Sequence, residues 1–120
     1  MTLVINEKLP NLNDYTKACR TNKYVGASMK KKYERIISAY IMQQLKGVSF
    51  KNKVKLSFRW YEKNKRRDID NICFAKKFIL DALVSNSIIA TDNWQGVVGF
   101  TDEFFIDKSG YRVEIDIEEV

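Results

Sequence analysis

Leu3, Val4 and Ile5 open the chain as a short β run between Thr2 and Glu7, and Lys8-Leu9-Pro10 ends it. A short helical turn is expected from Asn13 to Arg20. After Ser28, apolar or aromatic residues recur at Met29, Tyr33, Ile36, Ile37, Tyr40, Ile41 and Leu45. That spacing repeats one face of a helix, with Ser28 as its cap and Gly47 as its end. Lys30, Lys31, Lys32, Glu34 and Arg35 fall on the other face. From Lys53 to Tyr61 the period drops to two, with Val54, Leu56, Phe58 and Trp60 on one side and Lys53, Lys55, Ser57, Arg59 and Tyr61 on the other, which predicts a strand with one buried face. A basic run, Lys63-Asn64-Lys65-Arg66-Arg67, leads into a second helix from Asn71 to about Val84, apolar over most of its circumference. Val97 to Ile106 and Tyr111 to Ile117 read as two further strands joined by a hairpin-type turn at Asp107-Lys108-Ser109-Gly110. The sum is an α+β fold, a small mixed or antiparallel sheet packed against two helices.

Composition narrows the classes without changing that outline. The chain has 120 residues, 45% hydrophobic and 30% charged, with no repeat or linker, which fits one domain spanning 1–120. Disordered and collagen-like classes are excluded. No apolar run is long enough to span a membrane and Met1 to Pro10 has no signal-peptide core, so a soluble cytoplasmic protein is expected. Cys19 and Cys73 lack metal-ligand spacing and read as reduced thiols.

The chain contains no histidine. Its absence removes Ser-His-Asp and Cys-His nucleophiles, zincin motifs and every histidine general base. Any catalysis must come from carboxylates, lysines, hydroxyls, thiols or a metal. The 21 basic residues against 15 acidic ones, a net charge of +6, make a polyanion the default partner, with nucleic acid ahead of anionic membrane.

The strongest local signal for chemistry is Arg66-Arg67-Asp68-Ile69-Asp70-Asn71. In an extended segment Asp68 and Asp70 project to one side as a carboxylate pair, which repels itself unless a proton or cation lies between. Hard divalent cations take such oxygen ligands and keep positions open for water and phosphate. The plainer alternative is that Asp70 caps the following helix and Asp68 pairs with an arginine. Lys77, seven residues after Asp70, shares nearly the same helix face, and its side chain should lean back toward the aspartates. Lys77 can also pair with Asp81 at i, i+4. Asp92, in a loop after Ile88-Ile89, is a third carboxylate, for which spacing alone favours an ordinary turn role.

These residues, taken in order, resemble the RusA-type Holliday junction resolvases. The shared set is Asp68-x-Asp70-Asn71, a lysine four residues before Asp81 in Leu80-Asp81-Ala82-Leu83, Asp92 eleven residues further on, and the proline-then-asparagine turn Leu9-Pro10-Asn11-Leu12-Asn13. The resemblance runs over nearly the whole chain. It implies that Asp68, Asp70 and Asp92 bind the metal, that Lys77 assists catalysis, and that the protein is a Mg²⁺-dependent endonuclease acting as a homodimer on four-way DNA junctions. Mn²⁺ is the expected substitute ion, and a phage or prophage origin is common among such proteins. The interval from Asp70 to Asp81 is about one helical turn longer than in the best-known members, so Lys76 stands as an alternative to Lys77. Thr91 occupies a position where members often carry another acid.

Lys63, Lys65, Arg66 and Arg67 directly precede the acid pair and are the expected DNA-binding residues, drawing phosphates toward the metal. Paired cuts on opposed strands of a junction also call for a two-fold dimer. The rival readings are a non-catalytic DNA-binding module of the same fold and a related nuclease that prefers flaps or forks.

Overall fold

A computed structural model of the chain describes residues 1–120. The elements run β1 (Thr2–Ile5), α1 (Leu12–Thr21), α2 (Lys23–Gln44), β2 (Val54–Glu62), α3 (Ile69–Ile72), a single 3₁₀ turn (Cys73–Ala75), α4 (Lys76–Ser85), β3 (Val97–Ile106) and β4 (Arg112–Glu119). The alternation read in the sequence is realised on one face of the sheet. Leu3, Ile5, Val54, Leu56, Phe58, Trp60, Val113, Ile115 and Ile117 are all buried there. They meet Ile37 and Ile41 of α2, Leu45 at its C-cap, and Phe78, Ile79, Ala82 and Leu83 of α4 in one continuous core. The all-round apolarity of α4 follows from this position between sheet and long helix. No helix is long and apolar enough to cross a membrane.

The long helix begins earlier than its apolar stripe suggests. Asn22, not Ser28, caps it, accepting the N–H groups of Tyr24 and Val25 at 2.9 and 3.0 Å. Ser28 lies inside the helix. The five residues between, Lys23 to Ala27, bury only Gly26 and leave Tyr24 and Val25 exposed, so they carry no periodic signal, and a cap can start a helix before its buried face begins. Gly26 sits at the crossing of α1 and α2, where an added Cβ would stand 2.6 Å from Cys19 Sγ. The expected turn at Asn13 to Arg20 is a full helix, α1, opened by a capping box. Asp14 N–H donates to Asn11 Oδ1 at 2.8 Å and Asn11 N–H donates to Asp14 Oδ2 at 3.0 Å. Three helices of ten residues or more cover the sheet instead of two.

The four strands stand in the order β1-β4-β2-β3. β4 pairs antiparallel with β1 and β2, while β3 lies parallel to β2 at the edge. The connection at Asp107 to Gly110 is therefore not a hairpin. It passes over the end of β2, where the Asp107 N–H donates to the Glu62 carbonyl at 2.8 Å. Local turn chemistry cannot distinguish these two routes, because the strand that separates β3 from β4 comes from elsewhere in the chain. The parallel pair needs a crossover, and α3 through α4 supplies it as a β-α-β unit. Phe100 lies on the edge strand β3 and is 42% exposed.

The outer face of the sheet carries charge. Arg59 pairs with Glu114 at 3.1 Å and Asp116 at 2.6 Å, and Arg112 with Glu114 at 2.9 Å and Asp107 at 2.7 Å.

Candidate active site

β2 ends inward on Glu62, which is 6% exposed. A carboxylate so deeply buried requires a partner, and Arg67 supplies it. The Arg67 Nε and Nη2 donate to the two Glu62 oxygens at 2.8 Å each, and Nη1 donates to the Leu9 carbonyl at 2.9 Å. Arg67 thus ties the end of β2 to the Pro10-Asn11 turn, and its guanidinium is turned away from solvent. The expected phosphate contact does not hold for this residue. Lys63, Lys65 and Arg66 remain exposed. Lys63 and Lys8 also lie over the Tyr111 ring, 5.6 and 4.9 Å from its centroid, so a cation and an aromatic from outside the basic run join it.

The loop after β2 delivers the chain to the first turn of α3. Asp68 occupies the N-cap position but makes no side-chain capping bond. Asp70, two residues on, accepts only the neighbouring Asn71 N–H, at 3.0 Å. Both are exposed, and neither joins any of the protein's ion pairs. The plainer alternative for this pair, a cap and an arginine partner, is therefore absent. Asp68 also rims a cleft of about 400 Å³ with Lys65, Ile69 and Phe105, beyond the carboxyl end of β2, the end at which parallel α/β strands usually bind ligands. A larger cleft of about 480 Å³, bordered by Lys8, Lys17 and Tyr33, contains none of the candidate metal ligands.

Two consecutive lysines part ways at the start of α4. Lys76 turns inward, where its Nζ donates to Asp102 at 2.7 Å and lies 4.6 Å from the Phe100 ring centroid. Trp60 Nε1 donates to the other Asp102 oxygen at 2.9 Å. Asp102 was not singled out in the sequence, although the alternation Phe100, Asp102, Phe104 placed a carboxylate on the inward side of its strand. The Cys73 thiol beside this group is pushed up by burial first and by Asp102 next, which disfavours a reactive thiolate.

Lys77 turns outward, with its side chain 56% exposed. Its ammonium lies 3.2 Å from Asp81 and 3.7 Å from Asp92. Asp81, also 3.3 Å from Lys30, anchors this arrangement on α4. The hydrogen bond from Lys77 to Asp81, with a smaller contribution from Asp92, raises the lysine above its ordinary range, so it carries its charge through neutral pH. The fold therefore brings Asp92 and Lys77 together. Lys77 makes no ion pair with Asp68 or Asp70, from which a 3₁₀ turn separates it.

The oxygen donors of Asp68, Asp70 and Asp92 match what a hard cation such as Mg²⁺ takes, and Mg²⁺ is commonly held by only one or two carboxylates together with substrate phosphate. The exposed, unpaired Asp68 and Asp70 fit that role. No three His, Cys, Asp or Glu side chains are clustered closely enough to form a complete site. The acids stand apart: Asp68 borders the cleft at the carboxyl end of β2, and Asp92 borders a separate one beside Val97 and Phe100 at the start of β3.

No curated protein matches the chain as a relative. A family model described as Endodeoxyribonuclease RusA matches residues 8–118, and with that span covering nearly its whole length the chain belongs to the RusA family of endodeoxyribonucleases.

Proposed function

We propose that the protein is a Mg²⁺-dependent endonuclease that resolves four-way DNA junctions by paired incisions, working as a homodimer. The observation that carries this reading is the state of Asp68 and Asp70. In a chain with 21 basic residues, two neighbouring carboxylates beside a basic run are left exposed and outside every ion pair. Such a pair is available for a cation brought in with the substrate.

Asp68 and Asp70 would hold the ion, and Asp92, the partner of Lys77, would be the third carboxylate of the site. When bound, Mg²⁺ neutralises charge on the scissile phosphate and lowers the pKa of a bound water. Lys77, protonated through neutral pH, then places its ammonium on a phosphoryl oxygen as charge develops in the transition state. Lys63, Lys65 and Arg66 draw the backbone toward the acid pair, while Lys8 extends that basic surface across Tyr111. One site per subunit, related by a two-fold axis, accounts for cuts on opposed strands.

Incubating the purified protein with a synthetic four-way junction, a flap, a fork and a plain duplex, with and without Mg²⁺, tests the reading. Symmetric incisions in the junction that require Mg²⁺ are expected. Preferential cutting of the flap or fork would reassign the substrate, and no incision in any of the four would leave the binding-module reading in its place.

A further inference from the structure

The loop that carries Asp92 also carries the most exposed large hydrophobic side chain of the protein, Trp94, which is 89% exposed. An indole left in water forgoes one of the largest burial gains any side chain can make. The other tryptophan, Trp60, is 3% exposed and hydrogen-bonded. Trp94 is not exposed because its loop is loose. The Asn93 N–H donates to Thr91 Oγ1 at 3.3 Å and the Gln95 N–H donates to Asn93 Oδ1 at 2.9 Å. The Gly96 and Val97 N–H groups both donate to the Asn93 carbonyl at 3.0 Å. The loop is drawn so tight that a Cβ at Gly96 would lie 2.1 Å from the Thr91 carbonyl oxygen. It closes onto the core strand through the Val54 N–H, which donates to the Gly96 carbonyl at 2.9 Å. The indole is thus held out in water by a braced loop, beside a shallow cleft of about 230 Å³ that includes Val98 and Phe100.

We propose that Trp94 is a stacking platform for an unpaired nucleobase at the branch of the DNA substrate, next to the phosphate to be cut. The inference rests on the nuclease reading and adds a determinant of substrate structure to it. A flat π-face accepts any base without reading its edge. Duplex bases are already stacked on their neighbours, whereas a branch point can offer a free face. Lys77, assigned to a phosphoryl oxygen in the nuclease reading, lies 3.7 Å from Asp92 of the same loop, so the indole and the reacting phosphate would share one neighbourhood. An interface between copies fits less well. One indole of at most about 250 Å² with two half-exposed neighbours is far short of the ~800 Å² per partner of a stable interface.

With Trp60 buried, changes in tryptophan emission on DNA binding report on Trp94. The test titrates the protein, without divalent ions, with a junction carrying one unpaired thymine at the branch and with a duplex of equal length. Anisotropy of end-labelled DNA follows complex formation in parallel. Quenching by the branched DNA is expected. Trp94→Ala should weaken branched binding roughly ten-fold and leave duplex binding unchanged, and Trp94→Phe should keep most of the affinity. Unchanged emission from wild-type protein that anisotropy shows to be bound would overturn the proposal, as would wild-type affinity in Trp94→Ala. Loss of a dimer in Trp94→Ala with unchanged DNA affinity would also overturn it, in favour of an interface between copies. Wild-type cleavage of the junction in Mg²⁺ scores the nuclease reading separately, so a protein that cuts but fails these titrations loses only the stacking role.

Discussion

Lys76 and Lys77 are one residue apart and chemically identical, yet the fold gives them opposite environments. A step of about 100° around the helix takes the first into Asp102 and the aromatic rings of the sheet and the second out to Asp81 and Asp92. Lys77→Ala should leave stability within about 0.5 kcal/mol and slow the chemical step about a hundred-fold, the scale expected for removing a charge aimed at the transition state. Lys76→Ala should do the reverse, costing about 2 kcal/mol by stranding a half-buried carboxylate while the folded variant cleaves at close to the normal rate. Urea melts and single-turnover cleavage of both variants check this. Equal cleavage by Lys77→Ala and wild type would return Lys77 to a purely structural role. The sequence reading preferred Lys77 and kept Lys76 as the alternative, because the interval from Asp70 to Asp81 is about a turn longer than in the best-known members, and packing is what gives the two ammonium groups different partners. Arg67 was misread for a related reason. A run of cations looks uniform in sequence, and what singles one out is a buried Glu62 five residues earlier.

The elements were legible wherever period and length agreed. β2, β4 and the apolar faces of α2 and α4 follow directly from spacing, although on α2 only Ile37 and Ile41 of the selected residues are fully buried while Met29, Tyr33, Ile36 and Tyr40 stay partly exposed. The connection after β3 was not legible, because hairpin and crossover share the same turn residues and the choice is made by β2 inserting between β3 and β4. On the outer face, the pairing of β2 with β4 places Arg59 opposite Glu114 and close to Asp116. Arg112 chiefly lowers the Glu114 carboxyl, and Arg59, with help from Thr2, lowers that of Asp116. Both groups titrate lower in the folded chain than in the unfolded one, so acid protonates the unfolded chain first. Their contribution is complete above about pH 4.5 and fades as pH falls below it. Asp116→Asn should cost about 1 kcal/mol at pH 7 and much less at pH 3. Urea melts at the two pH values decide, and an equal loss at both would assign the effect to packing.

At the scale of the whole molecule, the β-α-β crossover carries the acid pair, Lys77 and the Asp92 loop in succession between β2 and β3. Asp68 and Asp70 begin its helix, Lys77 lies midway, and the return loop brings Asp92 to Lys77 from a distant part of the sequence. Spacing alone could not have established that last approach, and the resemblance to the RusA resolvases was what suggested it. The fold stops short of closing three acids on one ion, and the proposed reading leaves the acids to the cation and the exposed Lys63, Lys65 and Arg66 to the DNA phosphates. That division of labour makes binding and cutting separable. The most direct test measures junction affinity and single-turnover cleavage side by side, across Mg²⁺ concentrations, for wild type and Asp70→Asn. The account predicts unchanged affinity with cleavage lowered at least a hundred-fold, and cleavage by Asp70→Asn at the wild-type rate would contradict it.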